Sequence, residues 1–418
     1  MTEATRRGFL AGAAGLVAAG AALGRAEAAI PAPTKASVVP FWGKHQGGIA
    51  TPCQQHTYFA ALDLTTAKRD DVVALLRRWT EAAARLTAAQ PAAPAPADLQ
   101  LPGTDSGDVI GLPASRLTIT FGFGPGLFVT KDGKDRYGLA AHRPEALIDL
   151  KVFPGEQLVE ARTGGDLMIQ ACADDAQVAF HAVRQLIRQA YDLADIRWVQ
   201  SAFVADFGAK ATPRNLMGFK DGTGNISIED PKALDQFVWV GSEGPDWMQD
   251  GSYIVARRSR IALEHWDRMK VAFQEQTIGR HKDTGAPLGK AHEFDKVDLD
   301  AEDADGNPVV PENSHVRLAN AASNDGAKVL RRSYSYNDGV NFTAERWPPW
   351  RQAMEYDAGL LFICYQRDLR TGFAKIFERM SRFDMMNQFV TNVGGGHFAC
   401  PAGATKGEFI GQRLFDKA

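Results

Sequence analysis

Residues 359–380 read GLLFICYQRDLRTGFAKIFERM and align without a gap on residues 166–187, DLMIQACADDAQVAFHAVRQLI. Only Leu167/Leu360, Asp175/Asp368 and Phe180/Phe373 are identical. What repeats is the pattern, an apolar run of strand length followed by apolar positions at helical spacing. A strand-then-helix unit that occurs twice implies two related α+β units in tandem, each an antiparallel sheet with helices over one face. The length agrees, because 418 residues exceed one ordinary core and suit two domains of roughly 150–200 residues.

Working outward, the pattern predicts a strand over Tyr58–Leu64 and a helix over Asp70–Ala88. In that helix Val72, Val73, Leu75, Leu76, Trp79 and Leu86 recur at helical spacing, and Asp70 and Asp71 suit its positive end. Residues 90–111 are rich in Pro, Ala and Gly without any period, which predicts a surface loop. Leu117–Phe123 and Leu167–Cys172 read as strands and Asp175–Tyr191 as a helix. The acidic run 295–306, DKVDLDAEDADG, lacks the residue order of a calcium loop and reads as a solvated loop.

The first 28 residues are of another kind. Thr5-Arg6-Arg7-Gly8-Phe9-Leu10 leads into an apolar run that ends at Ala26-Glu27-Ala28, the form of a twin-arginine export signal with a small-residue cleavage site. The run is shorter than the roughly twenty residues a membrane span needs, so the mature chain is expected to carry no span. Twin-arginine export moves proteins already folded, which favours a protein that takes up its cofactor before export. The net charge of −3 gives no basic excess to attract nucleic acid. Cys53, Cys172, Cys364 and Cys400 are scattered without metal spacing, and the apolar runs around Cys172 and Cys364 predict buried thiols.

Chemistry-bearing residues gather late in the chain. GFKDGTGN (218–225) sets Asp221 in a glycine-rich turn, His315 opens an ordered, alternating segment after Pro311-Glu312-Asn313-Ser314, and LRRSYSY carries Arg331 and Arg332. A neutral imidazole is a common axial ligand for haem iron, a carboxylate can move the proton that peroxide cleavage requires, and a guanidinium stays charged at any working pH. The competing reading of Asp221 is a turn cap, and Arg332 competes with Arg331. His181, mid-helix among apolar residues, reads as a packing residue. His45, His56, His142, His265, His281, His292 and His397 fall in loops, charged stretches or a glycine run without evident partners.

On these motifs the chain resembles the dye-decolorizing peroxidases, in their exported deferrochelatase/peroxidase branch. GFKDGTGN is similar to that family's GxxDG signature, and FWGKHQGGIATP, FGFGPGLF, TPRNLMGFKDG, EQTIGRHKDTGAPLG, SHVRLAN and LRRSYSY follow in matching order. The resemblance implies an α+β fold of tandem ferredoxin-like domains, 29–215 and 216–418 after the signal at 1–28. It implies one haem b per chain, held mainly by the second domain. His315 would then be the axial ligand, Asp221 the distal acid–base and Arg331 the distal cation. Gly222, Thr223, Gly224, Asn320, Ala321 and Ala322 would line the haem, their small size letting the macrocycle approach the backbone. Two departures stand out: Ala321 replaces the usual proline after LAN, and Gln388 aligns where a carboxylate would hydrogen-bond the axial histidine. A neutral partner there would leave the iron less electron-rich.

The expected activity is reduction of hydrogen peroxide with one-electron oxidation of organic reductants, in the periplasm or otherwise outside the cytoplasm. The alternative is a deferrochelatase that takes iron from haem and leaves the porphyrin intact, and a silent haem carrier is a third possibility. The resemblance further implies a homo-oligomer and iron-uptake partner proteins. Trp347, Trp350 and Tyr334 follow the distal segment as electron-transfer candidates, with aromatic core packing as the competing reading.

Overall fold

The computed structural model describes residues 38–98, 100–208, 211–341 and 355–417. The export signal read at 1–28, Trp347 and Trp350 lie outside them. Among the described residues nine strands form one antiparallel sheet: β1 (His56–Leu64), β2 (Thr118–Phe123), β3 (Leu167–Ala173), β4 (Ala194–Phe203), β5 (Ser252–Ile261), β6 (Leu330–Arg331), β7 (Tyr334–Asn341), β8 (Glu355–Gln366) and β9 (Val390–Cys400). β5 pairs with both β9 and β8, so the order β5-β9-β2-β3-β1-β4-β7-β8 closes on itself like a barrel, with β6 beside β8.

The two halves of the ring have one plan. Counted within its own half, with the two-residue β6 left out, the first sheet (β2-β3-β1-β4) and the second (β7-β8-β5-β9) both run 2-3-1-4. Among the described residues one pair joins them at each seam, Phe123 with Ala399 and Phe203 with Ser335. The repeated stretch therefore becomes β3 with helix Ala176–Arg188 in one half and β8 with helix Phe373–Phe383 in the other. Its identical residues have diverged in use. Asp175 caps its helix by accepting from Gln177 N and Val178 N, whereas Asp368 closes a turn by accepting from Arg370 N. Phe180 is largely exposed and Phe373 buried.

Period-two alternation sorts the strand residues between two environments. Phe59, Met168, Trp198, Ile254, Ala256, Tyr334, Tyr336, Leu361, Ile363, Tyr365 and Phe398 form the barrel interior, drawn from both halves. The opposite face of the first half packs under helices Arg69–Leu86 and Ala176–Arg188. There Val72, Leu75, Leu76, Trp79, Ala83 and Leu86 are buried, and Trp79 Nε1 donates to Leu186 O at 2.8 Å. The expected helix over 70–88 and strand over 58–64 thus agree to within two residues at each end. Residues 90–111 and the acidic run 295–306 contain no named helix or strand among the described residues. All four cysteines are free, Cys53 exposed and the others buried.

Three local readings are corrected. His315 does not open an alternating strand: it is the first residue of the short helix His315–Ala319, with Ser314 at the N-cap position. His181 is buried but not merely packed, since its Nδ1 lies 2.9 Å from Asp108 Oδ1 and its Nε2 3.4 Å from Asp105 Oδ2, tying the 90–111 loop to its helix. His281 also has a carboxylate partner, Glu275 Oε2 at 3.0 Å.

Candidate active site

The outward residues of the second-half strands meet their covering helix along one side, where Phe362 and Arg257 lie against Phe373. Arg257, Ser259 and Ile261 of β5, Leu360 and Phe362 of β8 and Val390 and Asn392 of β9 wall a cavity of about 1050 Å³. Helix Phe373–Phe383 closes one side with Phe373, Ile376, Phe377 and Met380, spaced three and four apart so that they share a face. The glycine-rich turn supplies Asp221 to Asn225, and helix His315–Ala319 supplies His315, Val316, Arg317 and Ala319.

All nine residues expected at the site line this one cavity: Asp221, Gly222, Thr223, Gly224, His315, Asn320, Ala321, Ala322 and Arg331. His315 is the one histidine of the lining among the described residues. Its Nδ1 is 2.7 Å from Asp384 Oδ2, a carboxylate 2% exposed that also accepts from Met386 N through its other oxygen. Asp384 therefore fixes which ring nitrogen carries the proton and leaves Nε2 for the cavity. Gln388 is exposed four residues on and is not the partner. The expectation of a neutral partner is overturned, because the chain turns at the end of helix Phe373–Phe383 and brings the capping Asp384, not Gln388, beneath the ring. Burial opposes charge on His315, but the Asp384 carboxylate outweighs it and holds the imidazole above its usual range.

Asp221 Oδ1 accepts from Arg331 Nη1 at 2.7 Å, and its Oδ2 has a long 3.3 Å contact from Asn215 Nδ2. Burial pushes the Asp221 carboxyl up, but Arg331, Asn215 and His315 together pull it below its ordinary value, so it is held charged. Arg332 is not a second distal cation. Alternation turns it away from the cavity, into hydrogen bonds with Thr51 O, Pro52 O and Gln54 Oε1.

The turn that carries Asp221 is braced from two sides. Glu293 takes Thr223 Oγ1 at 2.9 Å and pairs with Lys220, the residues that flank the acid. Gly222 has φ +126°, a conformation that strains any residue with a Cβ, and a Cβ at Gly224 would enter open space. At the place of the family's usual proline, Asn320 caps the turn Ala321–Asn324 by accepting from Ala322 N at 2.9 Å, and Asn324 Nδ2 donates to Leu318 O and Asn320 O. Side-chain hydrogen bonds thus fix this loop where ring stiffness would otherwise serve.

Sequence reasoning missed Asp384, Asn215, Asn225, Glu293 and the Glu156–Arg257 pair at the cavity floor. Glu156 lies far from any motif. Asp384 could have been noticed as an acid at a helix end followed by a short turn, but such residues are common caps.

The cavity fits a haem by its donor set. One imidazole nitrogen faces a carboxylate–guanidinium pair, apolar walls stand between them, and Lys296, Arg317 and Lys328 line the cavity, as suits propionate groups. Among the described residues no group of three or more His, Cys, Asp or Glu is placed to hold a bare metal ion, and no helix is long and apolar enough to cross a membrane.

Comparison with known proteins agrees with the geometry. The family described as Dyp-type peroxidase, N-terminal matches residues 46–204, and Dyp-type peroxidase, C-terminal matches residues 212–405. The chain is 36% identical over 431 residues to a deferrochelatase of Escherichia coli O157:H7, covering 99% of this chain and 97% of the relative. Among solved structures it is similar to DtpA from Streptomyces lividans, determined as an X-ray generated oxyferrous complex (TM-score 0.79, 40% identity, 90% of this chain and 97% of that one). It is also similar to a DyP-type peroxidase from Cellulomonas bogoriensis (TM-score 0.78, 37% identity, 91% and 98%).

Proposed function

We propose, for a chain that belongs to the Dyp-type peroxidase family by both halves of its sequence, that the cavity between His315 and Asp221 holds one haem b and reduces hydrogen peroxide there. The chain is a haem-dependent peroxidase. Haem supplies the electrons that cleave the O–O bond and the one-electron steps by which organic reductants are then oxidised. What the polypeptide does can be assigned residue by residue.

His315 Nε2 would hold the haem iron, and Asp384, accepting a hydrogen bond from Nδ1, would make the ring a more electron-rich ligand. Asp221 Oδ2, the less firmly held oxygen, would take a proton from one oxygen of peroxide and return it to the other. Arg331 stabilises the negative charge that grows on the departing oxygen and keeps Asp221 ionised between turnovers. The small residues Gly222, Gly224, Ala321 and Ala322 let a planar ring lie against backbone, and the lysines suit its carboxylates.

The observation that carries this reading is that residues from well-separated stretches of the chain wall a single cavity in complementary pairs, His315 with Asp384 and Asp221 with Arg331. The test is peroxide-driven dye oxidation by the haem-loaded protein. Asp221→Asn should slow it by roughly 10²–10⁴-fold, the usual worth of a general acid–base, and a full-rate variant would move the role elsewhere.

The similarity to deferrochelatases over 99% of the chain supports a second reading, iron release from haem in the same cavity. Free protoporphyrin appearing when the protein is incubated with haem distinguishes it from peroxidation. The shared 2-3-1-4 strand order supports two ferredoxin-like domains, 29–215 and 216–418. Export by the twin-arginine route to the periplasm, self-association and an iron-uptake partner complete the proposal, the first resting on Arg6-Arg7 and the apolar run after it.

A further inference from the structure

The residue before the acid is a cation. Lys220 lines the cavity beside Asp221, yet its Nζ is paired with Glu293 Oε2. The route between them is built into the fold. The lysine stem runs over Gly285 (φ +75°), where a Cβ would come within 2.7 Å of Lys220 Cδ. Arg280, itself buried, donates from Nη1 to Gly285 O at 2.7 Å and to Glu293 O at 2.9 Å, so one guanidinium fixes the backbone at both residues that receive the lysine. Glu293 Oε1 is taken by Thr223 Oγ1 at 2.9 Å, which leaves Oε2 for the ammonium. The lysine and glutamate side chains are 22% and 10% exposed, so the pair is little screened by salt.

Asp221 is a second anion within reach of that ammonium. Its Oδ1 is held by Arg331, while Oδ2 has only a long contact from Asn215 and is the oxygen left to carry the peroxide proton. Lysine is a compact charge on a flexible four-carbon stem, and neighbouring Cα atoms are only about 3.8 Å apart. A carboxylate with a cation on each oxygen is a weaker base than one with a cation on one.

We propose that Glu293 is a positioning residue of the peroxide reaction: it sequesters the Lys220 ammonium and so keeps Asp221 Oδ2 free to move the proton. The proposal rests on the peroxidase reading and on Asp221 as its base. Bracing of the glycine turn through Thr223 is a purely structural role of the same carboxylate, and the two are separable because each uses a different oxygen. Glu293→Gln keeps an oxygen for Thr223 and sets an amide, itself a donor, against the ammonium.

The experiment mixes the haem-loaded protein with hydrogen peroxide in a stopped-flow spectrometer and compares the second-order rate constant of the haem spectral change among variants. Glu293→Gln should lower it about tenfold or more, a part of the roughly 10²–10⁴-fold that a general base contributes. Glu293→Gln combined with Lys220→Met leaves no ammonium to stray and should recover most of that loss. In an Asp221→Asn background Glu293→Gln should add nothing, since the oxygen it protects no longer acts. Glu293→Asp, which keeps the charge but draws it back by one methylene, is the second variant should Glu293→Gln not hold haem: it should be slowed less, and Lys220→Met should again repair it. A wild-type rate in Glu293→Gln, a further loss on top of Asp221→Asn, or a slow rate that Lys220→Met leaves unrepaired in either variant would overturn the assignment and leave Glu293 as a brace. Asp221→Asn at full rate, or a wild type without any peroxide-driven spectral change, would instead take down the reading of the site, and the role of Glu293 with it.

Discussion

Asn225 holds Arg331 by its main chain: Asn225 Oδ1 accepts from Arg331 N at 2.9 Å and Asn225 Nδ2 donates to Arg331 O at 2.7 Å. The turn that presents the acid thereby also fixes the strand that presents the cation. Separation of Asp221 from Arg331 is thus set by one side chain spanning two elements 106 residues apart. Asn225→Ala removes both bonds and leaves a partly buried amide and carbonyl unmatched. A loss of roughly 1–3 kcal/mol is expected in denaturant unfolding, with a slower peroxide reaction. Wild-type stability and rate in this variant would show that Arg331 is placed by other contacts.

The carboxylate behind His315 makes a prediction opposite to that of a neutral partner. Asp384→Asn should raise the ferric/ferrous midpoint potential of the haem-loaded protein and cost roughly 10–100-fold in activity. Gln388→Glu, at an exposed position, should leave the potential where it is. Potentiometric titration of both variants separates the two assignments.

Acid dependence follows from the Arg331–Asp221 pair. Because the folded Asp221 carboxyl lies below its ordinary value, its charged form survives mild acid, and the pair's contribution to stability is lost only as pH falls through that lowered value. Peroxide consumption should accordingly hold from neutral into mildly acidic pH. Arg331→Leu leaves burial with less opposition, so the acid limb of the pH–rate profile should shift toward neutrality. An acid limb at the same pH in wild type and variant would assign it to another group.

At the cavity floor Arg257 Nε donates to Glu156 Oε1 at 2.8 Å, with side chains 5% and 1% exposed. Glu156 also accepts from Asn392 Nδ2 at 3.2 Å and from Phe153 N at 3.0 Å. Glu156→Ala strands a buried guanidinium and should cost about 3–5 kcal/mol, read as a fall in the thermal midpoint, together with weaker haem retention. A midpoint within a degree of wild type would show that Arg257 finds another partner.

Much of this was written in the chain, and what was hidden has a physical reason. Helix Arg69–Leu86 and strands β1 to β3 announced themselves by period, and the trio His315, Asp221 and Arg331 by the motifs around them. The short helix at His315 did not, because five residues with Val316 and Leu318 two apart suit a strand as well. Choosing Arg331 over Arg332 required knowing which face of the strand meets the cavity. Asp384 escaped because it lies 69 residues from His315 and reaches it only through the turn that ends a helix. Ring closure was equally out of reach, since one residue pair at each seam leaves no periodic trace.

That closure bears on how copies of the protein can meet. A sheet with open sides offers unpaired amides and carbonyls to any neighbouring chain, and here each seam is closed by one residue pair, so that among the described residues the outer flank of β4 before Phe203 has no strand paired to it. Backbone pairing with another molecule has that flank to work with. A partner strand laid there would lengthen a seam that the fold itself leaves one pair long.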